Sequence, residues 1–257
     1  MKGKNHAVGS RFSWNRVLIT LLILLFTLAC LFPFILTFSV SITDENTIMR
    51  YGYELIPRKV SFYAYKLIFQ KGSSVINGYI ISIIVTVVGT LVAVVITGLA
   101  GYTLANRKVE YRSGLGLYFF IPMVFNAGIV PWYLICTKMG LRNNILALII
   151  PSLLFNPFNL FLVRNYMEGI PYSLRESATI DGANDAWIAL RIYFPLSMPV
   201  LATICLFYGL GYWNDWWNAI MLVDNQKLYP VQYLLLQLKS QISMLKDLQS
   251  IAGAINV

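Results

Sequence analysis

Charge is scarce in this chain: Asp, Glu, Lys and Arg make up only 12% of its 257 residues, about half the share of a soluble domain. With 58% hydrophobic residues, it carries more apolar surface than a compact water-soluble fold can hide. That excludes a soluble enzyme or binding module and makes lipid the main solvent. Histidine is almost absent, and the single His6 sits in a polar N-terminal tail, where it is expected to be solvated and disordered. Cys30, Cys136 and Cys205 have no metal-ligand spacing, so no metal site is expected. Each lies in or beside an apolar run and reads as a small buried hydrophobe. No G-x-x-x-x-G-K phosphate loop occurs, which excludes ATP binding of that kind. Low-complexity linkers, internal repeats and a second, soluble domain are missing too.

The net charge of +9 comes from basic residues scattered along loops. A phosphate-tracking face needs them clustered, so no nucleic-acid partner is expected and anionic lipid headgroups suit the charge better. Five apolar segments, near 17–41, 76–105, 114–136, 144–164 and 193–213, are each long enough for a helix to cross about 30 Å of hydrocarbon. They lack the alternation of a membrane barrel. The first follows Lys2, Lys4, Arg11 and Arg16; it is too long for a signal-peptide core and reads as an uncleaved helix. The expected fold is therefore all-α: a polytopic membrane helical bundle forming one domain over 1–257. Within it, 1–75 holds the N-terminal helix and an external loop, and 76–257 holds the core helices with a polar loop at 165–192. Lys and Arg divide ten to each side, but the loops on the N-terminal side are shorter and denser in charge, which places the N-terminus in the cytoplasm.

Within the second segment, Gly89, Gly98 and Gly101 are spaced among small residues and predict close helix packing. No segment has an ionisable residue in its interior, so the groups that ion-coupled carriers use are absent. The polar residues inside are Asn126, Asn156 and Asn159, near Pro122, Pro131 and Pro157. Broken helices beside amides can line a polar substrate path, and amides with aromatics suit sugar hydroxyls. Hydrogen bonding between helices is the alternative for each amide. The cluster Trp213-Asn214-Asp215-Trp216-Trp217 suits a membrane–water interface.

The 165–192 loop is the most specific feature. Pro171 and Ser173 precede Leu174-Arg175-Glu176, a pattern that fits a capping box with Ser173 as cap and Glu176 reaching back. Ala178 is small enough for close contact. Gly182 is expected to end a helix of about two turns in a left-handed conformation, with Asn184 or Asp185 capping the next helix. A helix this short is marginal alone in water and needs a docking partner.

Glu176-Ser177-Ala178, three residues, Gly182, nine residues and Ile192-Tyr193-Phe194-Pro195 together resemble the E-A-A loop of ATP-binding-cassette importer permeases. Ser177 for alanine and Phe194 for leucine are mild departures. Asp181, Gly182, Ala183 and Pro199, with Asn156-Pro157-Phe158-Asn159, resemble the carbohydrate branch, the maltose-type second permease. The resemblance covers most of 75–257 and implies a subunit without its own ATPase, localised as a multi-pass protein of the bacterial plasma membrane. It implies a coupling helix at 172–182, with Glu176, Ser177, Ala178, Asp181, Gly182, Ala183, Ile192 and Pro195 meeting the motor. The implied partners are a second homologous permease, two ATPases using ATP and Mg, an external solute-binding protein and an oligosaccharide substrate. No cofactor bound by this chain is implied. The family's sixth span has no counterpart before Val257, and truncation is the expected reason. A membrane enzyme built around Asp215 and an ion-coupled sugar carrier are the competing readings, and the sequence offers both few chemical groups.

Overall fold

The computed structural model describes residues 14–70, 74–151 and 153–255. His6 and the N-terminal Lys2, Lys4 and Arg11 lie outside the described residues. The chain divides into two compact units, Met1–Lys71 and Gly72–Val257.

In the first unit, α1 (Trp14–Ser41) is apolar all round and keeps Pro33 in its interior. Its side chains point outward almost everywhere, as expected of a helix solvated by lipid. After it come α2 (Glu45–Tyr51) and α3 (Tyr63–Ile68). The connecting loop folds back, with Ser61 N–H donating to the Ile42 carbonyl at 2.8 Å and the Ser41 and Tyr65 hydroxyls 2.8 Å apart.

The second unit is organised around α4 (Ser74–Ala105). Its buried face recurs every four residues as Ile81, Val85, Gly89, Ala93, Thr97 and Gly101. This is the spacing of a ridge that fits the groove of a neighbouring helix. Small residues dominate the stripe because the neighbours sit very close. A Cβ at Gly89 would lie 2.5 Å from the Tyr212 ring, and one at Gly101 would lie 2.6 Å from Val163. The packing role expected of these glycines is what the structure has. The opposite stripe, Ile83, Val87, Leu91 and Val95, is exposed.

The remaining spans are broken. Helix α5 (Arg112–Val124) turns by 117° into α6 (Ile129–Lys138). Gly128 takes φ +88° there, and its N–H donates to the Asn126 side chain at 2.8 Å. The region 144–164 is not one continuous helix. It contains α7 (Leu146–Ile149), an irregular stretch, and α8 (Pro157–Glu168). Pro151 and Pro157 remove backbone donors from this stretch, and side chains satisfy what is left. Tyr212 OH donates to the Ile149 carbonyl at 2.8 Å, Asn218 Nδ2 donates to the Pro151 carbonyl at 3.1 Å, and Asn156 N–H donates to Tyr208 OH at 3.1 Å. Irregular backbone inside a bundle requires such partners.

Beyond α8 lie α9 (Tyr172–Ile180), α10 (Asp185–Ile188), a π-helical turn Ala189–Tyr193, and α11 (Phe194–Leu196). The chain then bends by 82° at Ser197 into α12 (Met198–Trp213), which packs along α4. Two described helices are long and apolar enough to cross a membrane, or up to four if each bent pair is one span. The expected five spans are thus resolved only in part, because proline and glycine interrupt three of the five apolar runs.

Past α12, Asp215 caps α13 (Trp217–Leu222), accepting the N–H groups of Trp217 and Asn218. Burial pushes the Asp215 carboxyl above the usual carboxylate range, and the hydrogen bonds from Asn218 and Trp217 pull the other way. The tail then forms α14 (Val231–Ile255), where the sequence showed no apolar run. Leu235, Leu238, Ile242 and Leu245 share one exposed face of α14, but Lys239 and other polar residues interrupt them, so the helix is amphipathic. Burial is correctly expected only for Cys136. Cys30 and Cys205 face outward from apolar helices.

Candidate functional site

The polar loop folds into a short helix with a defined start and stop. Pro171 occupies the N-cap of α9 with φ −56° and no side-chain cap. Its fixed φ suits that position, so the helix begins at Tyr172 and Ser173 falls inside the first turn. The expected capping box is therefore not formed. Glu176 is exposed and has no hydrogen-bond partner among the described residues.

At the other end, Gly182 has φ +83°. Its N–H donates to the Thr179 carbonyl at 3.1 Å, and Ala183 N–H donates to the Ala178 carbonyl at 2.9 Å. These paired bonds form a Schellman stop, which satisfies the last carbonyls of the helix. Asn184 caps α10 by accepting Trp187 N–H at 2.8 Å, as one of the two expected caps.

An open concavity of about 600 Å³ lies between α9 and the next segment, lined among others by Ser177, Ala178, Asp181, Gly182, Ala183 and Ile192. Glu176 and Pro195 stand outside it. Ile180 at the tip is 84% exposed, and Glu176, Asp181 and Asp185 are all exposed. The outer surface is thus acidic with an apolar point, a form suited to docking against a complementary groove.

The inner side of α9 holds a residue that the sequence did not single out. Arg175 is buried, with 4% of its side chain accessible, and pairs with Asp185. Its Nη1 donates to Tyr102 OH at 3.2 Å, and Tyr102 meets Tyr193 edge-on at 5.0 Å. Arg175 and Ala178 share the buried face three residues apart, which was the available signal. The partner Tyr102 is too distant in sequence to have been inferred.

The three amides do not form one cluster. Asn156 caps α8 by accepting the N–H groups of Phe158 and Asn159, and Asn159 is buried in the same first turn. Asn126 lies in the bend between α5 and α6 and shares no hydrogen bond with either. The Tyr208 hydroxyl is bonded to Thr97 at 2.7 Å and to Asn156 N–H, so a structural role accounts for Asn156 and its surroundings. No group of three His, Cys, Asp or Glu suited to a metal occurs among the described residues.

No family model matches the chain. It is 37% identical over 216 residues to the polygalacturonan/rhamnogalacturonan transport system permease protein YtcP of Bacillus subtilis, an alignment covering 84% of this chain and 75% of that protein. It is 29% identical to the melibiose/raffinose/stachyose import permease protein MelC of the same organism, covering 82% and 77%. Among solved structures, a bacterial ABC transporter involved in import of the acidic polysaccharide alginate aligns with TM-score 0.82 and 30% identity, covering 88% of this chain and 82% of that one.

Proposed function

The chain belongs to the permeases of carbohydrate ATP-binding-cassette importers, a transport subunit without an ATPase domain, and on that premise we propose that it forms half of an oligosaccharide pore driven through α9. The other half is a second, homologous permease. Two ATPases, which use ATP and Mg, flank the permease pair, one of them docking on α9, and an external solute-binding protein delivers the sugar. In this reading the N-terminus is cytoplasmic, and the broken segment 144–164 is a fourth crossing among five. Glu176, Ser177, Ala178, Asp181, Gly182, Ala183, Ile192 and Pro195 form the coupling surface. Asn126, Asn156 and Asn159 border the sugar path, Asn159 and Asn156 by shaping the start of α8.

The carrying observation is the geometry of α9. It is a Schellman-stopped helix whose outer face, Glu176 included, is exposed, while its inner face is pinned to the bundle through Arg175. ATP binding closes the ATPases and carries α9 with them, and the bundle follows. The substrate we propose is an oligosaccharide from an acidic polysaccharide. Support comes from two relatives whose names give polygalacturonan/rhamnogalacturonan and alginate.

Uptake of radiolabelled trigalacturonate by cells with and without the chain tests this, with stachyose as the neutral comparison. ATP-dependent trigalacturonate uptake that vanishes in a Gly182→Val variant is expected. Uptake that survives ATP depletion but collapses with the ion gradient would overturn the mechanism. Stachyose uptake without trigalacturonate uptake would overturn the substrate class alone.

A further inference from the structure

We propose that Arg175 is a positioning residue that locks the coupling helix to the membrane bundle, so that movement of α9 reaches α4 and α12. The inference rests on the coupling role of α9 proposed above.

Three elements meet at this side chain. Arg175 belongs to α9. Its Nη2 donates to Asp185 at the start of α10. Its Nη1 donates to Tyr102 OH at 3.2 Å near the end of α4, and the guanidinium lies 5.7 Å from the centre of the same ring. Tyr102 in turn packs edge-on against Tyr193, the last residue of the π-helical turn that leads toward α12.

The arrangement is costly for a residue that only fills space. A charge with 4% exposure faces a single carboxylate that is itself 70% exposed, and Nε has no acceptor among the described residues. A buried ion pair of this kind is weak support for stability, since an apolar side chain of similar volume commonly serves as well. What an apolar side chain lacks is direction. The planar guanidinium, held at two of its nitrogens, fixes the angle between α9 and α4. Both ends of α9 are turns, Pro171 and Gly182, and its other buried side chain is the small, apolar Ala178, so the directional tie that sets the helix's angle is the one made by Arg175.

The test uses the assembled transporter in proteoliposomes, with ATP hydrolysis and trigalacturonate uptake measured together. Arg175→Met should keep hydrolysis while sugar moved per ATP falls roughly two- to thirtyfold, the range of mutations along a coupling network. Asp185→Asn should shift the ratio the same way by less, and Arg175→Lys should restore part of it. A merely structural arginine would lower both activities together by lowering the amount of complex. An unchanged ratio in Arg175→Met and Asp185→Asn overturns the proposal; if Arg175→Met fails to assemble, the exposed Asp185 variant decides.

A readout that needs no sugar is hydrogen exchange in the last turn of α4 after ATP–vanadate trapping. Trapping should alter it in the wild type and not in Arg175→Met, and an equal response in both would refute the lock. Gly182→Val separates the two levels. If it uncouples while the Arg175 and Asp185 variants do not, only the lock is wrong. If it too leaves the ratio unchanged, the coupling reading of α9 is wrong.

Discussion

Substitution of Gly182 separates backbone conformation from packing. Its φ is +83°, and a Cβ built there meets nothing within 4 Å. The cost of a side chain is therefore conformational. An L-residue in the left-handed region pays about 1–2 kcal/mol, while Asn tolerates it better, and β-branched Val is worse than Ala. An opening equilibrium shifted by that amount changes roughly five- to thirtyfold. The amides that report it are Gly182 and Ala183, bonded to the Thr179 and Ala178 carbonyls. In the purified chain, hydrogen exchange of this peptide should accelerate least for Gly182→Asn, more for Gly182→Ala and most for Gly182→Val. Coupled transport should fall in the same order. A ranking by size, with Ala harmless and Asn damaging, would refute the reasoning, because it would mean that bulk and not φ limits the site.

Gly89→Ala tests the opposite case, since its Cβ would sit 2.5 Å from a Tyr212 ring anchored to the Ile149 carbonyl. Overpacking of this kind costs about 1–3 kcal/mol, so thermal unfolding in detergent should shift down, and an unchanged midpoint would contradict the close α4–α12 approach. Asn156→Ala removes the cap of α8 and should cost about 1 kcal/mol in the same assay. Asp215 lies just past α12 and burial raises its pKa, so the folded chain holds this proton more tightly than the unfolded chain. Its contribution is most favourable below the ordinary carboxylate value of about 3.9 and is lost as pH rises through the raised value. Asp215→Asn should flatten that part of the stability–pH curve, and an unaltered slope would show that another group is responsible.

Features governed by local chemistry were legible in the sequence. The two uninterrupted apolar runs gave α1 and α4, small residues marked the packed face of α4, and Gly182 and Asn184 marked a turn and a cap. The cap of α9 was misassigned because Ser173 satisfies a capping pattern, whereas Pro171, two residues earlier, holds the N-cap and the helix starts at Tyr172. The break at Gly128 falls between Pro122 and Pro131, where a broken helix beside Asn126 was legible, whereas the 82° bend at Ser197 was hidden inside an apolar run, since hydropathy carries no information about bends. Helix α14 was missed because its apolar residues follow helical spacing between polar ones and never form a continuous run. Arg175 escaped because its role depends on Tyr102, which only folding brings to it.

The central claim is that α9 is where a motor subunit grips this chain. A photo-crosslinking amino acid placed at Ile180, the exposed tip of α9, addresses it most directly, with the same probe at exposed Ile220 on α13 as the control. The Ile180 probe should capture an ATPase subunit in a nucleotide-dependent way, and the Ile220 probe should not. Capture of the ATPase from Ile220, or its co-purification with no capture from Ile180, would contradict the claim.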